Sequence, residues 1–350
     1  MEASPALELR AKEPGPRPLL SVVTPAFNEA GNLPTFYARL CKTMQSIDMD
    51  WEWVIVDDHS QDDTFAVITS LANTDPRVRG VRFSRNFGAH TALACGLHRA
   101  RGDCVTALAA DLQDPPEFIP KLLIEWSKGA QVIWAARQQR EGQTLASMGT
   151  ARLYYWLMRN VVGMKEMPAT GADFFLLDRS VAEAFSRFGE ANVSILALIT
   201  WIGFRQVTVT YDKEARVLGR SGWTLKKKIK LVVDSVTSFS YLPIRFMSYL
   251  GFFVAFLGFL YAGVVSFNAL NGHPVQGWSS LIVVVLLVSG IQMLMMGVLG
   301  EYLWRALDEA RRRPRYIVEA ATESPDETSA QAALDRIAVQ ETVSFGRPGF

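Results

Sequence analysis

Between Arg245 and Glu301 the chain runs for 55 consecutive residues, Phe246 to Gly300, without one Asp, Glu, Lys or Arg. A helix rises about 1.5 Å per residue and a bilayer takes about 20 residues to cross, so the stretch is long enough for two crossings. Asn271-Gly272-His273-Pro274 interrupts it with a turn signal. Two spans, 246–269 and 278–301, joined by a short loop, are the expected result. A helical hairpin buried inside a soluble core is the competing outcome, and the full length of both segments argues against it. Trp278 and Tyr302 to Trp304 fall near the span ends, where amphipathic rings favour the membrane interface.

Basic residues collect on one side of this hairpin. Arg216, Arg220, Lys226, Lys227, Lys228, Lys230 and Arg245 precede it, Arg305, Arg311, Arg312, Arg313 and Arg315 follow it, and the connecting loop has none. The positive-inside rule then expects both termini in the cytoplasm and the loop outside. Residues 223–241 interleave Leu225, Ile229, Val232, Val233 and Val236 with lysines, the pattern of an interfacial helix on anionic headgroups. Nucleic acid is the rival partner for such lysines. The adjoining span and a net charge of only +1, from 36 Lys and Arg against 35 Asp and Glu, argue against it. Small residues on the spans (Gly251, Gly258, Gly263, Gly290, Gly297) permit close helix packing and a homo-oligomer.

The rest of the chain has soluble character. Residues 1–18 read as a flexible tail with no apolar core for a signal peptide, and roughly 319–350 as an acidic, polar tail. Cys41, Cys95 and Cys104 form no paired framework or metal spacing, which suits a reducing compartment. From Leu19 to about Asp178, apolar runs alternate with helical patterns. Strands are expected at 20–24, 53–57, 78–83, 105–110 and 131–135, with helices at 32–46, 62–72, 90–101 and 116–127. That alternation predicts an α/β domain with a mostly parallel, Rossmann-like sheet, whose ligands bind at the carboxyl ends of the strands. No G-x-G-x-x-G or P-loop follows any strand, which disfavours dinucleotide and P-loop chemistry.

Polar motifs do follow three of the strands. Thr24-Pro-Ala-Phe-Asn-Glu29 offers Glu29 to ribose hydroxyls and Phe27 to a base, or Glu29 to the dipole of the next helix. Asp57-Asp58-His59-Ser60 leads to Asp62-Asp63-Thr64; one carboxylate can read the imide N–H of uracil, while others cap the following helix. Ala110-Asp111-Leu112-Gln113-Asp114-Pro115-Pro116 places a carboxylate and an amide oxygen two residues apart. That pair can face one Mg²⁺ or Mn²⁺, whose shell phosphates and water complete, whereas Asp114 suits a helix cap.

In this order and spacing the motifs resemble the family 2 glycosyltransferases of the GT-A fold. Phe83-Ser-Arg-Asn-Phe-Gly88, Asp111-Leu-Gln-Asp-Pro-Pro116, Gly219-Arg-Ser-Gly-Trp-Thr-Leu225, Thr237-Ser-Phe-Ser240 and Gly300-Glu-Tyr-Leu303 narrow the resemblance. They look like the polyprenyl-phosphate glycosyltransferases, which include dolichol-phosphate mannose synthases and bactoprenol glucosyltransferases. It extends over about residues 19–318.

The resemblance implies nucleotide contacts by Pro25, Phe27, Glu29, Asp57 and Asp58, and metal or diphosphate contacts by Asp111 and Gln113. Asp111, Asp173 and Arg137 would serve catalysis, and Arg137, Arg140, Arg216, Arg220 and Ser221 the acceptor phosphate. It further implies a catalytic domain over 19–215, an acceptor loop and interfacial helix over 216–245, membrane helices over 246–304, and a basic collar with a tail over 305–350. The reaction expected is transfer of a sugar from a nucleotide sugar, UDP-linked by likeness to bacterial members, to undecaprenyl phosphate at the cell inner membrane. A processive polysaccharide synthase and a non-catalytic membrane scaffold are the alternatives. The chain departs from the family pattern at Ala109, where many members carry a carboxylate, at Gly222, where Lys usually follows Ser, and at Phe175, where Arg is common.

Overall fold

A computed structural model describes residues 17–137, 157–161, 163, 172–189, 194–211, 237, 239–240, 242–271, 277–311 and 313–322. The chain divides into two compact units, Met1–Leu231 with Pro314–Phe350, and Val232–Arg313.

The first unit is built on eight strands: β1 (Leu19–Ala26), β2 (Asp50–Asp57), β3 (Val78–Phe83), β4 (Cys104–Ala107), β5 (Val132–Arg137), β6 (Phe174–Asp178), β7 (Gln206–Tyr211) and β8 (Val318–Ala321). They form one sheet in the order β7-β5-β6-β4-β1-β2-β3-β8. The β4-β1-β2-β3 block and the β5-β7 pair are parallel; β6 runs antiparallel between β4 and β5, and β8 antiparallel to β3. The helices are α1 (Leu33–Met44), α2 (Thr64–Thr74), α3 (Ala89–Arg99), α4 (Ile119–Ser127), α5 (Arg179–Ser186) and α6 (Ile195–Ile202).

The parallel block follows from its sequence. Trp53-Val-Ile-Val is buried on both faces, as a strand between two helical layers must be. In α1 the buried Leu33, Phe36, Leu40 and Met44 recur at helical spacing, and Phe36 stacks on Trp53 with ring centroids 5.1 Å apart. Helix α3 presses onto β1 at Gly96, where a Cβ would come within 2.1 Å of Val23. The amino-terminal edge of the sheet is held by a buried ion pair. Glu52 accepts from Arg79 Nη1 at 2.6 Å, from the Ser21 hydroxyl at 2.6 Å and from the Arg101 amide at 2.7 Å.

Three expectations are adjusted. The fourth strand stops at Ala107 rather than Ala110, after which the Leu108 amide makes one more bond to the Val23 carbonyl and the chain turns. The helix expected at 116–127 opens as a 3₁₀ turn, Pro116–Phe118, and becomes α-helical only at Ile119, with a proline in its first turn where the missing N–H does least harm. The tail expected from about 319 does not begin there, because Val318–Ala321 form β8. Backbone pairing with the open edge of β3 holds this short segment, and composition carries no sign of that.

The second unit contains α7 (Leu242–Leu270) and α8 (Trp278–Ala310), both long and apolar enough to cross a membrane. Their apolar side chains face outward: Phe252, Phe259, Leu286 and Leu294 are all more than 60% exposed. Met295 lies against Gly251, and Tyr302 donates its hydroxyl to the Ser240 carbonyl at 2.9 Å. The second helix outlasts its expected end at 301 by nine residues. Its last turns are charged and carry a Glu301–Arg305 pair at 2.9 Å, four residues apart. Most of the interfacial helix expected over 223–241 lies outside the described residues.

Candidate active site

The carboxyl ends of the parallel strands form one rim. From β7 to β3 it presents Tyr211, Arg137, the start of β6, the loop after β4, the loop after β1 and the loop after β2. The antiparallel course of β6 matters here. It brings Asp173, one residue before that strand, to the same rim, with its amide on the Ala135 carbonyl at 3.0 Å. Of the expected site residues, Pro25, Phe27, Glu29, Asp57, Asp58, Asp111, Gln113, Arg137 and Asp173 therefore lie along one edge. Arg140, Arg216, Arg220 and Ser221 lie outside the described residues, as does the side chain of Arg137.

The loops after β1 and β2 are stitched together by side chains. Ser60 accepts from the Asn28 amide at 2.9 Å, Asn28 Oδ1 from the Gln61 amide at 2.8 Å, and the Thr64 hydroxyl from the Glu29 amide at 2.9 Å. Asp62 caps α2 through Thr64 and accepts from the Ala30 amide. Burial pushes its pKa up, but these hydrogen bonds outweigh it and hold the carboxyl below its usual range. Capping thus belongs to Asp62, whereas Asp63 makes no side-chain cap bond. Glu29 Oε2 accepts from the Asn32 side chain at the start of α1, and its carbonyl from the Asn32 and Leu33 amides. Phe27 stands 43% exposed on the rim.

Asp57 and Asp58 are neighbours with different tasks. Asp57 is fully buried; Oδ1 accepts from the Ser60 amide and hydroxyl, and Oδ2 from Arg82 Nη1 at 3.1 Å. Asp58, also buried, accepts from the Phe87 amide at 2.6 Å and the Gly88 amide at 2.8 Å. Burial raises its pKa, and those two amides oppose the shift. Gly88 takes φ +96°, a conformation in which a side chain would be strained, directly before α3. Asp58 therefore holds the loop over 84–88.

Asp111 and Gln113 are half-buried in the turn after β4, with the Gln113 amide on Asp111 Oδ1 at 3.2 Å. Ala109 adds no ligand. Among the described residues no group of three or more His, Cys, Asp or Glu is placed to hold a metal ion. One carboxylate and one amide oxygen fit Mg²⁺ or Mn²⁺ if diphosphate and water fill the remaining positions. Asp114 points elsewhere and accepts from the Tyr211 hydroxyl at 2.6 Å, with both side chains buried.

Each of the three rim loops carries one non-glycine residue in the left-handed region: Asn28 (φ 57°), His59 (φ 61°) and Leu112 (φ 59°). Such residues are uncommon and cluster where a loop is shaped for function. Sequence reasoning missed Arg82, the partner of Asp57. Its signal was a charged residue one position before the end of β3, a strand that carries Arg79 as well.

Residues 21–185 match glycosyl transferase family 2. The chain is 38% identical over 300 residues to the glycosyltransferase YkcC of Bacillus subtilis (strain 168), covering 85% of this chain and 93% of that one. It is 36% identical over 301 residues to the bactoprenol glucosyl transferase of Shigella phage SfV, covering 86% and 98%. Among solved structures, glucosyl-3-phosphoglycerate synthase from Mycobacterium tuberculosis aligns with TM-score 0.44 and 18% identity, over 63% of this chain and 80% of that one. By the family match and its two sequence relatives, and with a mostly parallel sheet of the GT-A type, the chain belongs to glycosyl transferase family 2.

Proposed function

We propose that this glycosyltransferase moves a sugar from a nucleotide sugar, UDP-linked, to undecaprenyl phosphate at the cytoplasmic face of the cell inner membrane. One observation carries the reading. A single chain joins a GT-A rim to two helices of membrane-crossing length, and relatives aligned over about 300 residues of it bear the name bactoprenol glucosyl transferase. A lipid-anchored phosphate stays at the interface, so a sugar-transfer domain tethered beside it meets its acceptor without extracting it.

In the donor pocket, Pro25, Phe27 and Glu29 hold base and ribose beside Asp57, and Asp58 shapes the wall through the loop over 84–88. The acceptor oxygen attacks the anomeric carbon in line. The bond from that carbon to the diphosphate oxygen breaks, its electron pair leaves with the nucleoside diphosphate, and the configuration inverts. A phosphate monoester is largely dianionic at neutral pH, its second pKa being about 6, so no strong base is needed. Asp173 then orients the reacting groups. Arg137, Arg140, Arg216, Arg220 and Ser221 bind the acceptor phosphate, for which the guanidinium fork is suited. Asp111 and Gln113 would hold Mg²⁺ or Mn²⁺, which supplies Lewis-acid stabilisation of the leaving diphosphate.

The test is to incubate the purified full chain with undecaprenyl phosphate, Mg²⁺ or Mn²⁺ and a panel of nucleotide sugars. A discrete glycolipid from one donor is the expected product. Polymer, or no product from any donor, would overturn the reading.

A further inference from the structure

After α8 the chain returns to the first unit and docks on its open edge. Tyr316 stacks on Phe83 with centroids 5.0 Å apart, the Ser84 amide bonds the Ile317 carbonyl at 2.9 Å, and Gly80 and Thr322 exchange two hydrogen bonds. The β3-β8 ladder then breaks register: Phe83 faces Val318, but Arg82 faces Ala320. Glu319 is the extra residue, a bulge of the kind that redirects a side chain.

The redirected carboxylate meets the rim. Glu319 Oε2 lies 3.2 Å from Arg82 Nε and 3.4 Å from His59 Nδ1. Arg82 uses the remainder of its fork inward, with Nη1 on Asp57 Oδ2 and Nη2 on the Ser60 carbonyl, both at 3.1 Å. The guanidinium is thereby engaged on three sides, by β8, by the end of β2 and by the loop that follows. A planar fork fixed at three points has one orientation, and the buried Asp57 carboxylate inherits it.

We propose that Glu319, supplied by the strand that follows the apolar helices, is a positioning residue of the donor site, acting through Arg82 to fix Asp57. This rests on the reading of Asp57 as part of the nucleotide pocket. The donor site is then assembled from chain on both sides of the helical hairpin, not from the region before it alone.

The test titrates UDP, and separately GDP, into the full chain in detergent by calorimetry, for wild type, Glu319→Gln, Arg82→Lys and the double variant. Donor and acceptor KM, kcat and thermal unfolding are followed alongside. Glu319 is half exposed, so its removal should weaken nucleotide binding and raise donor KM by about three- to fivefold. Acceptor KM, kcat and the unfolding temperature should stay near wild type. Arg82→Lys, which breaks the bond to a buried carboxylate, should cost about tenfold or more. Because Glu319 acts through Arg82, the double variant should bind no more weakly than Arg82→Lys. Unchanged nucleotide affinity in Glu319→Gln, an equal loss for the acceptor, or additive losses in the double variant would overturn the inference while leaving the donor site standing. If wild type binds neither nucleotide, the donor-site reading itself falls, and the inference with it.

Discussion

The hydroxyl of Tyr211, at the end of β7, donates to Asp114, which closes the turn containing Asp111 and Gln113. The two residues are 97 positions apart, and their bond ties the loop after β4 to the far side of the sheet. Tyr211→Phe leaves a buried carboxylate without this donor and should lower stability by about 1–3 kcal/mol. Thermal unfolding in detergent would register the loss. Turnover should fall as well, because the turn beside it loses its anchor; a variant matching wild type in both would show the turn to be held by other contacts.

Asp111→Ala should reduce turnover by about 10²-fold or more, since it removes the carboxylate assigned above to the divalent cation, and several kcal/mol of charge stabilisation with it. Chelation of divalent ions should silence the wild type equally. The converse change, Ala109→Asp, adds a second carboxylate and should lower the Mg²⁺ concentration giving half-maximal rate. An Asp111→Ala enzyme of full activity would remove the metal assignment.

Asp58 should behave as a loop anchor. Asp58→Ala leaves the Phe87 and Gly88 amides without their acceptor, at a cost of about 1–3 kcal/mol. Hydrogen exchange should quicken at residues 84–88 first. If exchange rises equally across the sheet, the carboxylate supports the whole domain rather than this loop.

His98 sets an acid limit. Burial, aided by the nearby positive charge of Arg315, holds its pKa down to about 4, and its Nε2 is buried without a hydrogen-bond partner among the described residues. A base whose pKa is lower in the folded state favours the unfolded chain once protonated. Its contribution is therefore intact above the ordinary value of about 6.5 and lost as pH falls toward 4. The unfolding temperature should drop across that window, and His98→Phe should flatten the slope. Parallel slopes for variant and wild type would exclude the histidine as the cause.

Leu286, the ninth residue of α8 and inside its uncharged stretch, is 66% exposed. If lipid covers it, Leu286→Arg should disfavour insertion by about 3 kcal/mol. More of the protein should then wash from membranes at alkaline pH. Extraction identical to wild type would place that face in water.

Much of this architecture was legible in the sequence because its causes are local. Trp53-Val-Ile-Val announces a strand buried on both faces, and the uncharged run from Phe246 announces two long helices. The rim motifs could be located because strand ends and polar residues coincide. What could not be read depends on distant pairing. The antiparallel insertion of β6, which delivers Asp173, leaves no mark in its own composition. Neither does β8: Val318-Glu-Ala-Ala has the composition of a tail and becomes a strand only because β3 leaves an open edge. The division of labour between Asp57 and Asp58 was equally hidden, since it follows from Arg82 on one side and two backbone amides on the other.

The position of β8 has a consequence for biosynthesis. The other seven strands leave the ribosome before either apolar helix, so most of the sheet can fold while the hairpin is still being made. The final strand follows only when both helices have emerged. Until then the β3 edge stands unpaired, a surface prone to joining other chains. The same strand that covers it brings Glu319 to Arg82. Completion of the sheet is thus tied by chain order to synthesis of the hairpin, and a nascent chain arrested between the two would carry an unfinished edge.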